Sequence, residues 1–330
     1  MTPGESPRTM PAVLFDGRLK LVDNHPVPSP PRDWALIRTL AAGICRTDLE
    51  IIKGYMGFKG VLGHEFVGEV QACDQPEWIG QRVTGEINAA CGTCRMCRQG
   101  LARHCPERSV LGILGLDGCI AEYCRLPVGN LHPVPADLST DRAAFIEPLS
   151  AACEVLDQVN LTGAEKITVL GDGRLGILCA WALATVSDNV TLVGHHPEKL
   201  EIARWRRLVT TRTVDAVDGA DIVVEATGNP QGFADALAVC RPRGTIVLKS
   251  TLASQGELNL APVVINEITV VGSRCGLFKS GIAMLQQYPD MPVERLITAK
   301  YPLAQALEAF DRARAPGALK VLIEIDTPAT

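Results

Sequence analysis

The chain has 330 residues, of which 47% are hydrophobic and 21% are charged, and its formal net charge is -5. A chain of this length usually forms two domains, because a single hydrophobic core stops growing at about 250–300 residues. The composition is that of an ordinary globular protein and excludes a largely disordered chain. A small negative charge without a basic cluster argues against nucleic acid or an anionic membrane as a partner. We therefore expect a small-molecule partner.

The most apolar stretch, residues 175–184, is only half as long as the roughly 20 residues that cross a bilayer. Residues 1–11 lack the continuous apolar segment of a secretory signal. These two observations predict a cytoplasmic protein with no membrane partner. In such a reducing compartment, the twelve cysteines favour metal binding or catalysis over disulfides.

The first 134 residues contain short β-type runs that are broken by Gly, Pro and Asp. Such spacing is typical of an all-β domain. The predicted strands cover residues 35–40, 65–71, 82–86 and 121–126. Residues 140–160 then have a helical composition, and Pro148 suits a first helical turn, where its missing N–H is not needed. We place the first domain boundary after this proline, so that residues 1–148 form one domain.

From residue 166 onward, short apolar runs alternate with helical stretches. This alternation indicates parallel βαβ units, and hence an α/β fold with a doubly wound sheet. The predicted strands cover residues 167–170, 190–193, 222–225, 245–248 and 268–271. A helix over 303–314 and a strand over 319–325 follow, and this strand can rejoin the sheet of the first domain. The predicted domains are therefore 149–283 for the α/β part, with 284–330 returning to the first domain.

Four cysteines lie in one short loop, separated by two, two and seven residues. They are Cys91, Cys94, Cys97 and Cys105. Four thiolates in one loop complete the tetrahedral shell that Zn²⁺ prefers, so this zinc should stabilise a lobe at about residues 88–108 and do no chemistry. The final gap does not match the spacing of a ferredoxin cluster, and a chance set of free thiols is the other alternative. His104 is an alternative ligand, although a loop surface residue is the simpler interpretation.

A second set of ligand-type residues comes from separate segments. Cys45 precedes Thr47 and Asp48, His64 and Glu65 follow nineteen residues after Cys45, and Glu147 begins a Glu-Pro-Leu segment. A thiolate, an imidazole and a carboxylate can hold Zn²⁺ and leave a coordination position open for a substrate oxygen. Taken alone, each of these residues is more often structural.

Together with the cysteine loop, these motifs resemble the zinc-containing medium-chain dehydrogenase/reductase superfamily. The matching motifs are Cys45-x-Thr47-Asp48, Gly63-His64-Glu65-x-x-Gly68 and Glu147-Pro148-Leu149, and the resemblance spans nearly the whole chain. It implies a Rossmann domain and a GroES-like, mainly β catalytic domain. It also implies that Cys45, His64 and Glu147 bind a catalytic zinc, as in the sorbitol and threonine dehydrogenase branches, and that Glu65 is an alternate ligand.

The same resemblance assigns roles to the residues after Cys45. Thr47 would hydrogen-bond the substrate hydroxyl and start a proton relay, and Asp48 would orient His64. Without the resemblance, Thr47 could be a β-branched strand residue and Asp48 a turn or cap residue. Relatives often have a histidine that passes the proton to water where this chain has Glu50. Either Glu50 carries that proton, or the relay runs through ribose and solvent.

A glycine-rich turn lies between a predicted strand and a predicted helix, as in a dinucleotide site. Gly171 allows the tight turn, Gly173 lets pyrophosphate approach the backbone amides, and Gly176 lets the helix pack on the strand. The predicted helix begins at Leu175, and both Leu175 and the preceding Arg174 are counted with the predicted cofactor contacts.

An NAD site usually has an acidic residue about 20 residues further on, which binds the ribose 2′-hydroxyl. Here Gly194, His195 and His196 stand at that place, with Lys199 behind them and no carboxylate. Small and basic residues favour a 2′-phosphate, so we predict that NADP(H) is preferred over NAD(H). The alternative is an ordinary loop after a strand. Thr227 and Arg274, just after the predicted strands 222–225 and 268–271, resemble the superfamily's contacts around the nicotinamide.

The sequence therefore predicts a zinc-dependent NAD(P)(H) oxidoreductase with two Zn²⁺ per chain. Its reaction would interconvert a secondary alcohol or polyol and its carbonyl. One alternative is a biosynthetic reductase of a carbonyl or conjugated carbonyl, and another is a non-catalytic dinucleotide-binding protein. We expect a homodimer or homotetramer.

Overall fold

The computed structural model describes residues 8–217, 219–251 and 258–325. It divides into two compact units, of which the first comprises Met1–Glu147 with Ile297–Thr330 and the second Pro148–Leu296. The expected boundaries were after residues 148 and 283. In the structure the second unit extends to Leu296 and includes Met284, whose sulfur lies 3.6 Å from that of Cys153.

The first unit is mainly β. Its strands are β1 (Thr9–Phe15), β2 (Leu19–Pro26), β3 (Trp34–Ile44), β4 (Gly60–Val61), β5 (Glu65–Ala72), β6 (Arg82–Gly85), β7 (Asn88–Ala89), β8 (Ser109–Leu111), β9 (Gly115–Leu116), β10 (Tyr123–Pro127) and β11 (Leu131–Pro133). Its helices are α1 (Arg46–Ile51), α2 (Arg95–Arg98) and α3 (Thr140–Ala143), and α4 (Ile146–Gln158) begins at its end. β3 is the central strand, with neighbouring strands paired to both of its edges. It alternates between buried and half-buried residues at its start and is buried throughout from Ala41 to Ile44.

The second unit contains one parallel sheet of six strands. They are β12 (Ile167–Leu170), β13 (Val190–Val193), β14 (Val209–Thr211), β15 (Ala220–Glu225), β16 (Cys240–Leu248) and β17 (Thr269–Gly272). The intervening helices are α5 (Arg174–Leu183), α6 (Pro197–Ala203), α7 (Gly232–Val239), α8 (Ala261–Ile265) and α9 (Phe278–Gln287). The strand order β14-β13-β12-β15-β16-β17 confirms the doubly wound fold and places the reversal of strand order beside β12.

The chain then returns to the first unit through β18 (Ile297–Pro302), α10 (Ala306–Arg314) and β19 (Lys320–Glu324). β19 pairs in parallel with β18 and antiparallel with β3, with Val321 opposite Ile44. The predicted terminal strand therefore does rejoin the first sheet. This pairing brings Lys320, at the start of β19, to the end of β3 where Cys45 follows.

Other differences from the sequence prediction concern short elements. The hairpin of β1 and β2 precedes the first predicted strand, and β14 has only three residues, too few to show a periodic pattern. The helical segment 140–160 forms two helices, α3 and α4. Among the described residues, no helix is both long enough and apolar enough to cross a membrane.

Candidate zinc and dinucleotide sites

Three ligand-type side chains of the first unit meet at one end of its sheet. Cys45 follows β3, while His64 and Glu65 stand where β5 begins, and one donor atom of each lies within 4.8 Å of the other two. The antiparallel register places Gly43 opposite Glu65 and so fixes this meeting point. His64 and Glu65 are buried, whereas Cys45 is half-buried. Their donor atoms are close enough together to hold one metal ion.

Asp48 connects the two segments that carry these ligands. Its carboxylate accepts the backbone N–H of Cys45 at 2.7 Å and that of Gly63 at 3.2 Å, and it lies 3.4 Å from Nδ1 of His64. Burial disfavours a charged His64, but the negative charges of Asp48 and Cys45 outweigh it and hold the pKa of His64 well above its ordinary value. The same negative groups that attract a proton to His64 would also attract a metal cation.

Lys320 is a member of this group that the sequence analysis missed. Its ammonium makes an ion pair with the Glu65 carboxylate, both side chains are fully buried, and its Nζ lies 5.8 Å from the ring centre of Phe145. Burial lowers the pKa of Lys320 to about 8, although the negative charges of Cys45 and Asp48 act to raise it. The signal in the sequence was a lysine directly before the apolar run Val321–Ile323 of the terminal strand.

The structure places Glu147 second in α4, half-buried and outside the group of Cys45, His64 and Glu65. Burial raises the pKa of the neighbouring Cys119 thiol, and the charges of Asp48 and Glu147 raise it further. The Cys119 sulfur lies 3.7 Å from the carbonyl oxygen of Glu65. Glu147 therefore acts electrostatically on the region that contains the other predicted ligands.

Thr47 and Glu50, both in α1, have different surroundings. The Thr47 hydroxyl oxygen lies 3.8 Å from the Cys45 sulfur, beside the ligand group. The Glu50 carboxylate instead pairs with Arg46 at 3.0 Å and with Lys53 at 3.1 Å. The structure thus brings Thr47 to the predicted zinc position and engages Glu50 with two exposed cations.

The four cysteines of the 91–105 loop converge on one point. Cys94 lies 3.5 Å from Cys97 and 3.8 Å from Cys105, and Cys91 lies 3.5 Å from Cys105 and 4.0 Å from Cys97, sulfur to sulfur. Four sulfurs at about 2.3 Å from a tetrahedral zinc would be about 3.8 Å apart. A disulfide would need about 2.0 Å, and all twelve cysteines are free. The cluster has the dimensions of a zinc site.

The acidity of these thiols supports the same fit. Backbone N–H groups of Thr93 and Cys94 lower the pKa of Cys91 to about 6, whereas burial and the neighbouring thiols raise that of Cys97 to about 12. Without a cation, the four thiols cannot all ionise easily, because neighbouring thiolates repel one another. A bound divalent metal would allow all four to be thiolates.

The glycine-rich turn has the predicted form. Gly171 has a φ of +113°, and a Cβ there would lie 2.6 Å from the carbonyl oxygen of Ala226. A Cβ on Gly176 would overlap the carbonyl oxygen of Gly171, so the helix packs closely on the turn. Gly173 precedes α5, which begins with Arg174 and Leu175, and faces open space where a pyrophosphate can approach.

The end of β13 corrects one part of the prediction. Gly194 carries no carboxylate, but the Asp172 carboxylate lies against it, with Oδ2 2.6 Å from the place of a Cβ at position 194. Asp172 accepts the backbone N–H of His196 at 2.7 Å. His195 and His196 are exposed and Lys199 is buried. The signal for Asp172 was an acidic residue between the first two glycines of the turn.

Two buried residues fix the remaining cofactor segments. Glu225 accepts the backbone N–H of Thr227 at 2.8 Å and its hydroxyl at 2.6 Å. Lys249 donates to the carbonyl oxygen of Arg274 at 2.9 Å and to the Ser273 hydroxyl at 3.0 Å. The sequence analysis singled out Thr227 and Arg274 but not the two charged residues that hold them.

Comparison with known proteins identifies the family of the chain. The profile of the alcohol dehydrogenase GroES-like domain matches residues 31–136, and that of the glucose dehydrogenase C-terminus matches residues 140–325. A sorbitol dehydrogenase of Bacillus subtilis is 30% identical over 329 residues, which cover 92% of each chain. The chain belongs to the zinc-containing medium-chain dehydrogenase/reductase superfamily. An L-threonine 3-dehydrogenase of Stenotrophomonas maltophilia is 28% identical over 331 residues, covering 92% of this chain and 95% of that protein.

A solved member of the superfamily has the same fold. The structure of a zinc-binding dehydrogenase from Sinorhizobium meliloti 1021 bound to NADP aligns with a TM-score of 0.86 at 25% identity, covering 96% of this chain and 99% of that one. The first unit is thus the GroES-like domain and the second the Rossmann domain, as predicted. Membership of the superfamily makes the chain an oxidoreductase of the alcohol dehydrogenase type.

Proposed function

We propose that the chain is a zinc-dependent NAD(P)(H) oxidoreductase that interconverts a secondary alcohol or polyol and its carbonyl. The observation that carries this proposal is the convergence of Cys45, His64 and Glu65 on one point, with Asp48 behind them. Relatives named as sorbitol and threonine dehydrogenases support a substrate that carries a secondary hydroxyl. The partner is a small molecule.

In this proposal Cys45, His64 and Glu147 hold the catalytic zinc, and Glu65 is an alternate ligand. A zinc ion bound there supplies Lewis acidity toward the substrate oxygen. Asp48 orients the His64 ring through Nδ1 and leaves Nε2 for the metal. Lys320 holds Glu65 by an ion pair with one of its two carboxylate oxygens, Oε2.

The chain's own residues handle the proton. Thr47 has a hydroxyl beside Cys45, which suits it to accept the proton of the substrate hydroxyl while it passes its own proton onward. Glu50 is already engaged by Arg46 and Lys53. We therefore assign no relay step to Glu50, and the proton passes from Thr47 toward solvent.

The Rossmann domain holds the hydride acceptor, a nicotinamide dinucleotide whose chemistry the protein orients. The turn of Gly171, Gly173 and Gly176 offers its backbone to the pyrophosphate. Thr227 and Arg274 stand near the carboxyl ends of β15 and β17. NADP(H) is the proposed preferred form. The cysteine loop holds the second, structural zinc.

A homodimer or homotetramer is the proposed assembly. β17 is the last strand of its sheet, and Val264 and Ile265 of α8 are 76% and 77% exposed. Exposed apolar side chains near a sheet edge favour contact with another protein chain.

The substitution Cys45→Ser tests the catalytic assignment. We expect zinc content to fall from two ions to one per chain and oxidation of secondary alcohols and polyols to be lost, while dinucleotide binding persists, because the Rossmann domain is untouched. Zinc is measured by mass spectrometry, turnover by nicotinamide absorbance and binding by calorimetry.

Cys73→Ser is the matched control, because Cys73 is also half-buried in the first unit and lies outside both ligand groups. It should keep two zinc ions and full turnover. Full activity in Cys45→Ser would end the proposal. A single zinc in the unsubstituted protein would instead favour the non-catalytic alternative.

A further inference from the structure

The ribose end of the dinucleotide site contains a buried carboxylate that comes from an unusual place. β13 ends at Val193, and Gly194 follows with no side chain. Asp172 reaches this position from inside the glycine-rich turn, and its carboxylate occupies the space that a side chain at 194 would need. The end of the second strand therefore has an acidic group after all, although its own residues supply none.

This carboxylate is already bonded to the neighbouring histidine. Its Oδ2 accepts the His196 backbone N–H at 2.7 Å, and its two oxygens lie 3.1 and 3.0 Å from Nδ1 of the imidazole. Burial of Asp172 opposes ionisation, but the bonds from His196 outweigh it and keep the pKa of Asp172 below its ordinary value. Asp172 is therefore a carboxylate at neutral pH.

Exposure decides which of the two groups a ligand meets. The Asp172 side chain is 10% exposed, whereas that of His196 is 47% exposed. With Nδ1 directed at Asp172, the imidazole presents Nε2 on its other side. An incoming ribose would meet the ring before the carboxylate.

The local charges favour an anion at the ring. Lys199 is buried in α6, close enough for its positive charge to lower the pKa of Asp172. An imidazole that has taken a second proton from solvent can donate through Nδ1 to Asp172 and through Nε2 to a phosphate oxygen. A phosphate bound there would be separated from Asp172 by the ring.

We propose that Asp172 is a positioning residue that holds His196 as the group that recognises the 2′-phosphate of NADP(H). The inference deepens the proposed function and rests on it for the identity of the cofactor. Asp172 acts through His196 and does not contact the ribose. The preference for the phosphorylated cofactor thus depends on an acidic residue, which by its charge alone would oppose it.

The opposite arrangement gives the opposite prediction. If Asp172 bound the ribose 2′-hydroxyl directly, its charge would repel a 2′-phosphate and the chain would prefer NAD(H). Removing the charge would then strengthen binding of the phosphorylated ligand. Under our proposal the same change weakens it, so the sign of the effect separates the two.

Calorimetric titration with adenosine 2′,5′-bisphosphate and with adenosine 5′-monophosphate measures this sign without zinc or turnover. We expect the unsubstituted protein to bind the bisphosphate more tightly. Asp172→Asn should weaken bisphosphate binding roughly tenfold or more, as expected for loss of a charge-assisted bond, and change monophosphate binding less than about twofold. His196→Gln should have the same selective effect, and the double variant should be no worse than His196→Gln alone, because Asp172 acts through the ring.

Glu198→Gln is the matched control, since it removes one negative charge from the exposed surface two residues after His196. It should leave the ratio of the two affinities unchanged. The proposal is overturned if Asp172→Asn strengthens bisphosphate binding, weakens both ligands equally, or is matched by Glu198→Gln. It is also overturned if His196→Gln, which leaves Asp172 and the turn intact, keeps the selectivity. Loss of turnover in Cys45→Ser does not affect these titrations, so the two proposals fail separately.

Discussion

The two predicted zinc sites of the GroES-like domain are built in opposite ways. The cysteine loop takes all four ligands from residues 91–105, and three of its four thiols are half-buried. The catalytic group takes Cys45 from the end of one strand and His64 and Glu65 from the start of another, and its ion-pair partner Lys320 lies 255 residues beyond Glu65. The first site is local and accessible, and the second is long-range and buried.

The two sites differ in how the charges of their side chains are balanced. The loop carries three arginines, Arg95, Arg98 and Arg103, beside its own thiols, and solvent reaches three of those thiols. In the buried group, Cys45, Asp48 and Glu65 face Lys320 and His64 with little solvent to help, and an unpaired buried charge costs several kcal/mol. The residues that prepare the chemistry of the buried site therefore also stabilise the end of the sheet.

The largest expected effect comes from Lys320→Met. Removing the ammonium leaves the Glu65 carboxylate buried without it, so we expect the free energy of unfolding to fall by about 3–5 kcal/mol. Lys300→Met on the adjacent strand β18 is the control, because Lys300 is 36% exposed in its pairs with Asp141 and Glu324 and should cost about 1 kcal/mol or less. Urea unfolding of both variants measures the difference. Equal losses would show that burial does not distinguish the two ion pairs.

A smaller effect is expected for Asp48→Asn. The amide keeps one oxygen as an acceptor but loses the charge that faces His64, so zinc affinity at the buried group should fall roughly 10–100-fold. The zinc of the cysteine loop should be retained, which chelator competition with metal counting resolves. Asp117→Asn is the control, because Asp117 also accepts a backbone N–H, that of Val61 at 2.9 Å, yet lies outside both ligand groups. Loss of both zinc ions at the same chelator concentration would contradict the independence of the two sites.

The smallest effect concerns a local contact of the Rossmann domain. The Glu165 carboxylate accepts the Thr162 hydroxyl at 2.6 Å and the backbone N–H groups of Thr162 and Gly163, and these bonds lower its pKa to about 2 from 4.5. A lowered pKa stabilises the fold above pH 4.5, and the gain is lost as the pH falls toward 2. Glu165→Gln should therefore lower the Tm slightly at pH 7 and progressively less below pH 4.5. A Tm difference that is constant between pH 7 and pH 3 would exclude this linkage.

The sequence by itself determined the features that depend on short-range spacing. The cysteine loop, the strand, turn and helix around Gly171, and the alternation of strands and helices after residue 166 were all predicted, because each is encoded within a few tens of residues. The motifs around Cys45, His64 and Glu147 identified the superfamily, which the comparisons confirmed. These patterns predicted the fold and most of the candidate site residues.

Only the tertiary structure decided which charges meet. Lys320 reaches Glu65 because β19 pairs with β3, and no local pattern encodes that register. Asp172 lies against Gly194 because β12 and β13 are neighbours in the sheet. The sequence predicted no carboxylate at the end of β13, and the structure places a buried one there. Glu50 was one of two alternatives for the proton relay, and the structure pairs it with Arg46 and Lys53. Electrostatic partners are chosen by distance in space, and strand pairing sets that distance between residues far apart in the chain.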